Sequence, residues 1–427
     1  MTGDLSIPGD SALPARPDRP DPSAPPLNPA LNRDPGSRTS SRTSTSKTPL
    51  ASSDNDQPRP QPIAWIGDPR QPQEQGQWGR PDQLSLPLDD RGLTLADGLF
   101  ETVLVERGQV WLLEAHLERW RRSAALLGME LPPPAELLEP LIAEALRRSL
   151  GAVDGPRSSA SKGSRKLPPA GNLPRAPWLD ASSGGLAGAL RLNWSRGSAQ
   201  ARGIDLPAEG EPPLAHRFWL QFTPLQPCFQ PVTVWISQLE RRQATSLLSQ
   251  CKTFAYGQAI QARREARSAG AEEALLLGTS GELCCGATSN LVVLREGTWL
   301  TPPLASGCLP GVMRGRALAL GLVREAPLDP ALLLQQAPGD VQGSGLNPDQ
   351  EWRPGVKDSG SVAGAAPGPI RAALLLNSLG CRPIRAVNGQ RLGAADEASS
   401  KPGWASELAE SFWRRVLGDG EVQAAET

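Results

Sequence analysis

The stretch CKTFAYGQAIQARREARSAGAEEALLL, residues 251–277, sets a single lysine, Lys252, between two structural signals. Before it runs TSLLSQC (245–251), small and apolar; after it come the aromatic residues Phe254 and Tyr256 and a helix start. Residues 257–268 read as a helix that stops at Gly270, and EALLL (273–277) reads as a strand. A lysine flanked by residues of buried character is desolvated, which favours Schiff-base chemistry. The plain alternative is a surface lysine beside a helix start.

Strand and helix signals continue on both sides of this stretch. IAWIGD (63–68) reads as a strand, LFETVLVER (99–107) alternates and is β-rich, and VWLL follows a turn at Arg107-Gly108. Leu113, Leu117, Trp120, Ala124 and Leu127 recur at spacings of 4, 3, 4 and 3, one face of an amphipathic helix. After PPP (132–134), ELLEPLIAEALRRSL gives a second helix. Further on, ALRLNWSRG, HRFWLQFTP and VTVWISQLE are strand-like, and NLVVLREGTWL is a pair of strands turning at Glu296-Gly297. GVMRGRALALGLV reads as a helix, AALLL as a strand and SELAESFWRRVLG as a closing helix. The expectation is an α+β protein with a smaller domain over 61–150 and a larger, strand-rich one over 188–427. Three stretches rich in Pro, Gly or Ser stand apart: a tail over 1–60 without an aromatic residue, a linker over 151–187 and an insertion over 338–370. Such segments bury too little apolar surface to offset their ordering entropy and are expected to be disordered.

Composition narrows the function. The 427 residues carry 44 Lys+Arg against 45 Asp+Glu, a net charge of −1, which argues against a general nucleic-acid surface. No apolar run approaches the ~20 residues of a membrane helix, and MTGDLSIPGD lacks the basic-then-apolar pattern of a secretory signal. Six cysteines are too sparse for a disulfide scaffold and read as reduced thiols of a cytoplasmic protein. The two histidines, His116 and His216, lie far apart, which leaves little for a Ser–His or Cys–His pair. His116 falls on the apolar face of its helix, as a packed or capping residue would. Adjacent Cys284 and Cys285 do not have metal-ligand spacing, and no metal is expected. There is no GxxxxGK[ST] and no convincing GxGxxG. An organic cofactor held by a lysine is one remaining way to do hard organic chemistry.

Several motifs around Lys252 stand in a recognisable order. They are DDRGLTLADGLFETVLVERG (89–108), LLEAHLERWRRSAALLGM (112–129) with its L-x-x-H-x-x-R pattern, SRGSAQARG (195–203), the lysine stretch itself, GATSNLVVLREG (286–297), TPPLASGCLPGVMRG (301–315) and LLLNSLGCRPIRAVNG (374–389). Together they resemble the class IV aminotransferase family, the pyridoxal-phosphate enzymes of the D-amino-acid transaminase and branched-chain aminotransferase fold, and within it aminodeoxychorismate lyase most. The resemblance implies a two-domain fold, pyridoxal 5'-phosphate as cofactor, a small-molecule substrate and a homodimer. It implies that Lys252 holds the cofactor covalently and then shuttles protons at the substrate Cα. Arg119 pairs with the phosphate in this reading; the alternative is a helix-surface arginine beside Arg121 and Arg122. Val312 and Met313, after Leu309-Pro310-Gly311, offer backbone N–H groups to the phosphate, and Met313 lacks the hydroxyl of the threonine many relatives carry there. Ser378 adds a hydroxyl from a loop that looks one residue shorter than in relatives. Arg202 matches a position that binds substrate carboxylate, with Arg196 its neighbour or a structural strand-end arginine.

Two departures bear on the reaction. The family places a Glu five residues before the Asn of the cofactor strand, where it keeps the pyridine nitrogen protonated. Five residues before Asn290 stands Cys285; the nearest acid is Glu282, at the turn after Gly281. A thiol does not stabilise a pyridinium as a carboxylate does, which weakens the electron sink. An elimination needs that sink less than transamination does, because the leaving group takes the electrons. The expectation is therefore a lyase that converts 4-amino-4-deoxychorismate to 4-aminobenzoate and pyruvate for folate synthesis. The alternatives are an aminotransferase of a D- or small L-amino acid, with a hairpin shift bringing Glu282 into use, and a non-catalytic binding protein. The second departure is Phe100, where some transaminases have a Tyr near the lysine. Tyr256, the one tyrosine of the chain, either approaches the active site or packs in the core.

Overall fold

Period-two alternation in LFETVLVER builds a nine-residue strand of an antiparallel sheet. The computed structural model describes residues 60–71, 76–151, 186–198, 203–208, 210–334, 370–392 and 403–418. Apart from residues at their ends, the expected tail, linker and insertion lie outside them. The first sheet contains β1 (Ile63–Gly67), β2 (Gln77–Gly79), β3 (Gly98–Glu106), β4 (Gln109–Val110), β5 (Ala187–Ser195) and β6 (Arg217–Pro224), in the order β2-β1-β6-β5-β3-β4. Of the early helices, α1 (Arg91–Thr94) is a single turn, whereas α2 (Leu113–Leu126) and α3 (Ala135–Ser149) pack on one sheet face. Leu99, Val103 and Val105 of β3 point to that face with Leu190, Leu192 and Trp194 of β5 and Phe218, Leu220 and Phe222 of β6, and close on Leu117, Trp120 and Leu138. On the opposite face, Phe100, Thr102, Ala189, Arg191, Gln221 and Thr223 form one wall of a cavity.

The second sheet contains β7 (Val232–Arg242), β8 (Glu273–Gly278), β9 (Leu283–Gly286), β10 (Asn290–Arg295), β11 (Thr298–Thr301), β12 (Arg324–Glu325), β13 (Ile370–Asn377), β14 (Gly380–Val387) and β15 (Gln390–Arg391). Its path runs β12-β11-β10-β13-β14-β7-β8-β9, and β9 also pairs with β10. That last pairing, through Cys285 and Asn290, closes six strands into a ring. α4 (Gly257–Ser268) covers β7 and β8, while α5 (Val312–Ala319) and α7 (Trp404–Leu417) cover β13 and β14; α6 (Ala331–Leu334) packs on the ring with Leu332 and Leu333. Leu104 of β3 joins Val292, Met313, Leu374, Leu376 and Trp413 in one apolar cluster, so both sheets share a core.

The expected boundary at 188 is corrected by the pairing. β5 runs antiparallel to β3 from Gly98↔Ser195 to Glu106↔Ala187, and β6 pairs with β5 and β1. Both strands therefore belong to the first sheet, and the second begins at β7. A strand's own alternation fixes which faces it buries but not which partner it joins, so the 151–187 stretch looked like a boundary although the chain returns to the same sheet.

Gly98 shows how tightly the two halves meet at β3. A Cβ there would lie 2.2 Å from Phe254 Cε2, two residues after Lys252. Gly98→Ala is expected to lower unfolding stability by about 1–3 kcal/mol, the usual cost of overpacking; urea denaturation followed by tryptophan fluorescence measures it.

Candidate active site

The segment before α4 is pinned to β3 as a short ladder. Phe100 N–H donates to Lys252 O (2.9 Å), Phe254 N–H donates to Gly98 O (3.0 Å), and Leu99 bridges Thr253. The Lys252 side chain consequently projects into a cavity of about 460 Å³ between the sheets. Its Nζ donates to Tyr256 Oη at 3.1 Å and lies 4.5 Å from the centre of the Phe100 ring. The surface-lysine alternative does not hold, and of the two roles open to Tyr256 the structure gives the one at the lysine. Tyr256 stands at the N-terminus of α4, where Lys252 reaches it from the preceding turn.

Alternate residues of the first sheet form one wall: Phe100 and Thr102 of β3, Ala189 and Arg191 of β5, Gln221 and Thr223 of β6. Arg191 lies over the Phe100 ring at 3.6 Å, and its Nε donates to Asn193 Oδ1 at 2.7 Å. Burial lowers the pKa of this guanidinium, against the opposing charge of Tyr256. A desolvated cation of this kind is a ready partner for a carboxylate.

Behind the same sheet, Glu101 is 1% exposed and holds two residues of α2. Arg119 donates to both of its oxygens, and His116 Nδ1 lies 2.8 Å from Oε2. Burial pushes the Glu101 carboxyl up, but the Arg119 charge and the His116 and Arg119 hydrogen bonds outweigh it and hold the pKa down at about 2. Arg119 is thus a buried, oriented guanidinium and not a helix-surface residue; it also donates to Pro310 O (3.2 Å) and reaches the cavity. His116 is more than a packed residue, since its Nε2 meets Ser378 Oγ at 3.2 Å. Through it, β3, α2 and the β13–β14 turn converge on one end of the cavity.

That end is completed by α5. Gly311 caps the helix with Val312 and Met313 as its first residues, so their N–H groups have no intrahelical acceptor. The Met313 side chain is buried in the shared core, which leaves only its amide for the cavity. Asn290 Nδ2 donates to Leu309 O at 2.9 Å and fixes the approach to the turn; a Cβ on Gly311 would strike Asn290 Oδ1 at 2.0 Å. Backbone donors at a helix start, a fixed guanidinium and a hydroxyl form an anion cradle.

Cys285 lies on the wall beside its β-partner Asn290. Glu282 stays at the β8–β9 turn, where its carbonyl accepts from Gly278 N–H, and does not line the cavity. Among the described lining residues there is no Asp or Glu, while Arg119, Arg191, Arg242 and Lys252 are all present. Cys284 Sγ donates to Cys285 Sγ at 3.7 Å. This bond, with the nearby Arg242 charge, lowers the Cys285 pKa against burial and the Glu273 charge.

Of the two expected substrate ligands, Arg196 is not brought to the cavity. Arg196 is buried and spends its guanidinium on Asp97 Oδ2 and on the carbonyls of Gly128 and Leu127, all at 2.9 Å, which makes it the structural strand-end residue. Arg202 lies outside the described residues. Arg191, Arg242, Tyr256, Glu101 and His116 join the site instead. Arg191 carried no signal of this in the sequence: in ALRLNWS it alternates with Leu190 and Leu192 and reads as a charge on the solvent-facing side of a strand.

The family model "Amino-transferase class IV" matches residues 98–337, and the chain belongs to this family. A Methanocaldococcus jannaschii protein named for branched-chain-amino-acid aminotransferase activity is 25% identical over 234 residues, 54% of this chain and 67% of its own length. The bifunctional aminodeoxychorismate lyase / D-amino acid transaminase of Mycobacterium tuberculosis is 46% identical over 55 residues, 13% of this chain and 18% of its own length. The crystal structure of the Escherichia coli branched-chain amino acid aminotransferase superposes with a TM-score of 0.57 at 16% identity, covering 84% of this chain and 96% of that one. Pyridoxal 5'-phosphate is the cofactor of this family. The lysine in the cavity and the anion cradle at the Gly311 turn fit it.

The Glu101 carboxyl supplies a pH test. Its folded pKa is depressed, so its stabilisation is complete above the unfolded value near 4.5 and is lost as pH falls toward about 2. The advantage of the wild type over Glu101→Gln in urea unfolding, ~3 kcal/mol near neutrality, is expected to shrink steadily below pH 4.5.

Proposed function

We propose that this chain is a pyridoxal-phosphate-dependent lyase that releases pyruvate from 4-amino-4-deoxychorismate and leaves 4-aminobenzoate. The observation that carries the reading is the cavity wall, with Cys285 beside Asn290 and no carboxylate among the described lining residues. When bound, pyridoxal 5'-phosphate supplies an aldehyde for the substrate amine and a ring that withdraws electrons from the adjoining carbon. Arg119, Ser378 and the Val312 and Met313 amides hold its phosphate. Lys252 Nζ takes the proton from the substrate carbon that bears the amine, oriented by Tyr256 Oη and shielded by Phe100. Cys285 does not hold a proton on a pyridine nitrogen as a carboxylate would, so the wall gives little support to a long-lived carbanion. A substrate that expels a β-substituent and becomes aromatic needs little such support.

The charge of the wall supports the same substrate. 4-Amino-4-deoxychorismate carries two carboxylates, and Arg191 offers a desolvated guanidinium on the wall opposite the ring of strands. The partial match to the mycobacterial bifunctional protein agrees with a lyase. The longer match to the M. jannaschii protein favours the second reading, an aminotransferase of a D- or small L-amino acid.

Pyruvate formation measured with lactate dehydrogenase separates the two. The lyase reading expects pyruvate from aminodeoxychorismate with no keto acid added, and none from Lys252→Ala. Turnover only in the presence of a keto acid would establish the aminotransferase instead. Cys285→Ala is expected to keep activity within about tenfold, or ~1.4 kcal/mol in barrier; a collapse would show that the thiol takes part. Arg191→Met is expected to raise KM by about tenfold or more, with a smaller change in kcat, as loss of a charged carboxylate partner does.

A further inference from the structure

The Ser378 hydroxyl has one hydrogen, and His116 decides where it points. Glu101 is ionised, and a carboxylate only accepts, so His116 Nδ1, 2.8 Å away, carries a proton. In a neutral imidazole Nε2 is then an acceptor, and Ser378, 3.2 Å away, donates its hydrogen to it. Ser378 in that state shows the cavity only lone pairs, which repel a phosphate. In an imidazolium Nε2 donates to Ser378 Oγ, and the serine hydrogen is free to turn toward an anion.

We propose that a phosphate-bearing ligand enters this cavity with one proton from solvent, taken up at His116 Nε2, and that this proton turns Ser378 from an acceptor into a donor at the phosphate. The inference rests on the reading of the α5 end of the cavity as the phosphate cradle.

Charges around the ring fit this coupling. Glu101 faces it from β3, Arg119 from the next turn of α2 and Lys252 from the segment before α4. Burial, with the Arg119 and Lys252 charges, lowers the His116 pKa against the pull of Glu101, so the free protein holds the neutral ring near pH 7.5. Glu101 is already balanced by Arg119. A proton on His116 therefore leaves the cluster with an excess positive charge, which an arriving dianion compensates. His116 here is a positioning residue: it touches the phosphate only through Ser378.

The chain contains only two histidines, which makes the test direct. The full chain, labelled with nitrogen-15 histidine, is titrated at pH 7.5 with pyridoxamine 5'-phosphate, which has the phosphate but no aldehyde to engage Lys252. Pyridoxamine serves as the phosphate-free control. His116 is expected to change from one protonated and one bare nitrogen to two protonated nitrogens with the phosphate ligand and to stay neutral with pyridoxamine, while His216 does not change. Calorimetry in buffers of different ionisation heat should show about one more proton taken up per bound pyridoxamine 5'-phosphate by the wild type than by His116→Gln. Saturable binding with His116 still neutral overturns the proposal and leaves the phosphate cradle standing. No binding of pyridoxamine 5'-phosphate overturns both.

Discussion

A buried carboxylate organises this molecule. Glu101 sits on the packed side of β3 at 1% exposure, where an unpaired charge would cost several kcal/mol. It is tolerated because α2 brings Arg119 and His116 onto it at one helical spacing, i and i+3. The three residues form a neutral, saturated cluster, but each member retains a link elsewhere. Arg119 reaches Pro310 ahead of α5, and His116 reaches Ser378 beyond β13. The requirement to satisfy one carboxylate thereby fixes the distance between two sheets and places three donors around one anion cradle.

The second constraint is closure of the ring of strands. β9 joins β10 through one residue pair, Cys285 and Asn290, and that pair stands in the cavity wall. Asn290 ties the wall to the turn before α5 through Leu309 O. A substitution at position 285 thus changes the chemistry of the wall with little effect on the ring, since closure is made by backbone groups. This separation lets the framework persist whatever side chain stands at position 285.

Much of this was legible in the sequence, for identifiable reasons. Helix α2 follows from its apolar periodicity and β3 from its alternation, and α3, α4, α7, β5, β6 and β7 stand where their stretches read as helix or strand. Lys252 stood out because one amine interrupted an apolar run, and the structure places it in the cavity. What failed was relational. Strand order across 151–187 is set by partners distant in sequence, so β5 and β6, expected within the larger domain, join the first sheet. Arg196 and Arg191 are five residues apart on one β-hairpin arm, and only the pairing shows that the first turns to Asp97 and the second to the cavity. His116 looked like a core residue because its two hydrogen-bond partners lie 15 and 262 residues away.

The electrostatics of the cavity follow from these placements. Arg119 is paired with Glu101, whereas Arg191 stacks on Phe100 and donates to the neutral side-chain oxygen of Asn193. Arg242 bonds to Gly307 O and to Gln258, both neutral, and its charge acts on Cys285. With no carboxylate among the described lining residues, the wall carries positive charge at both ends and an amine between them. Such a field selects ligands with at least two well-separated anionic groups, because a single anion leaves part of the wall uncompensated. On the reading proposed above, a phosphate at the α5 end answers one centre and a substrate carboxylate near Arg191 the other.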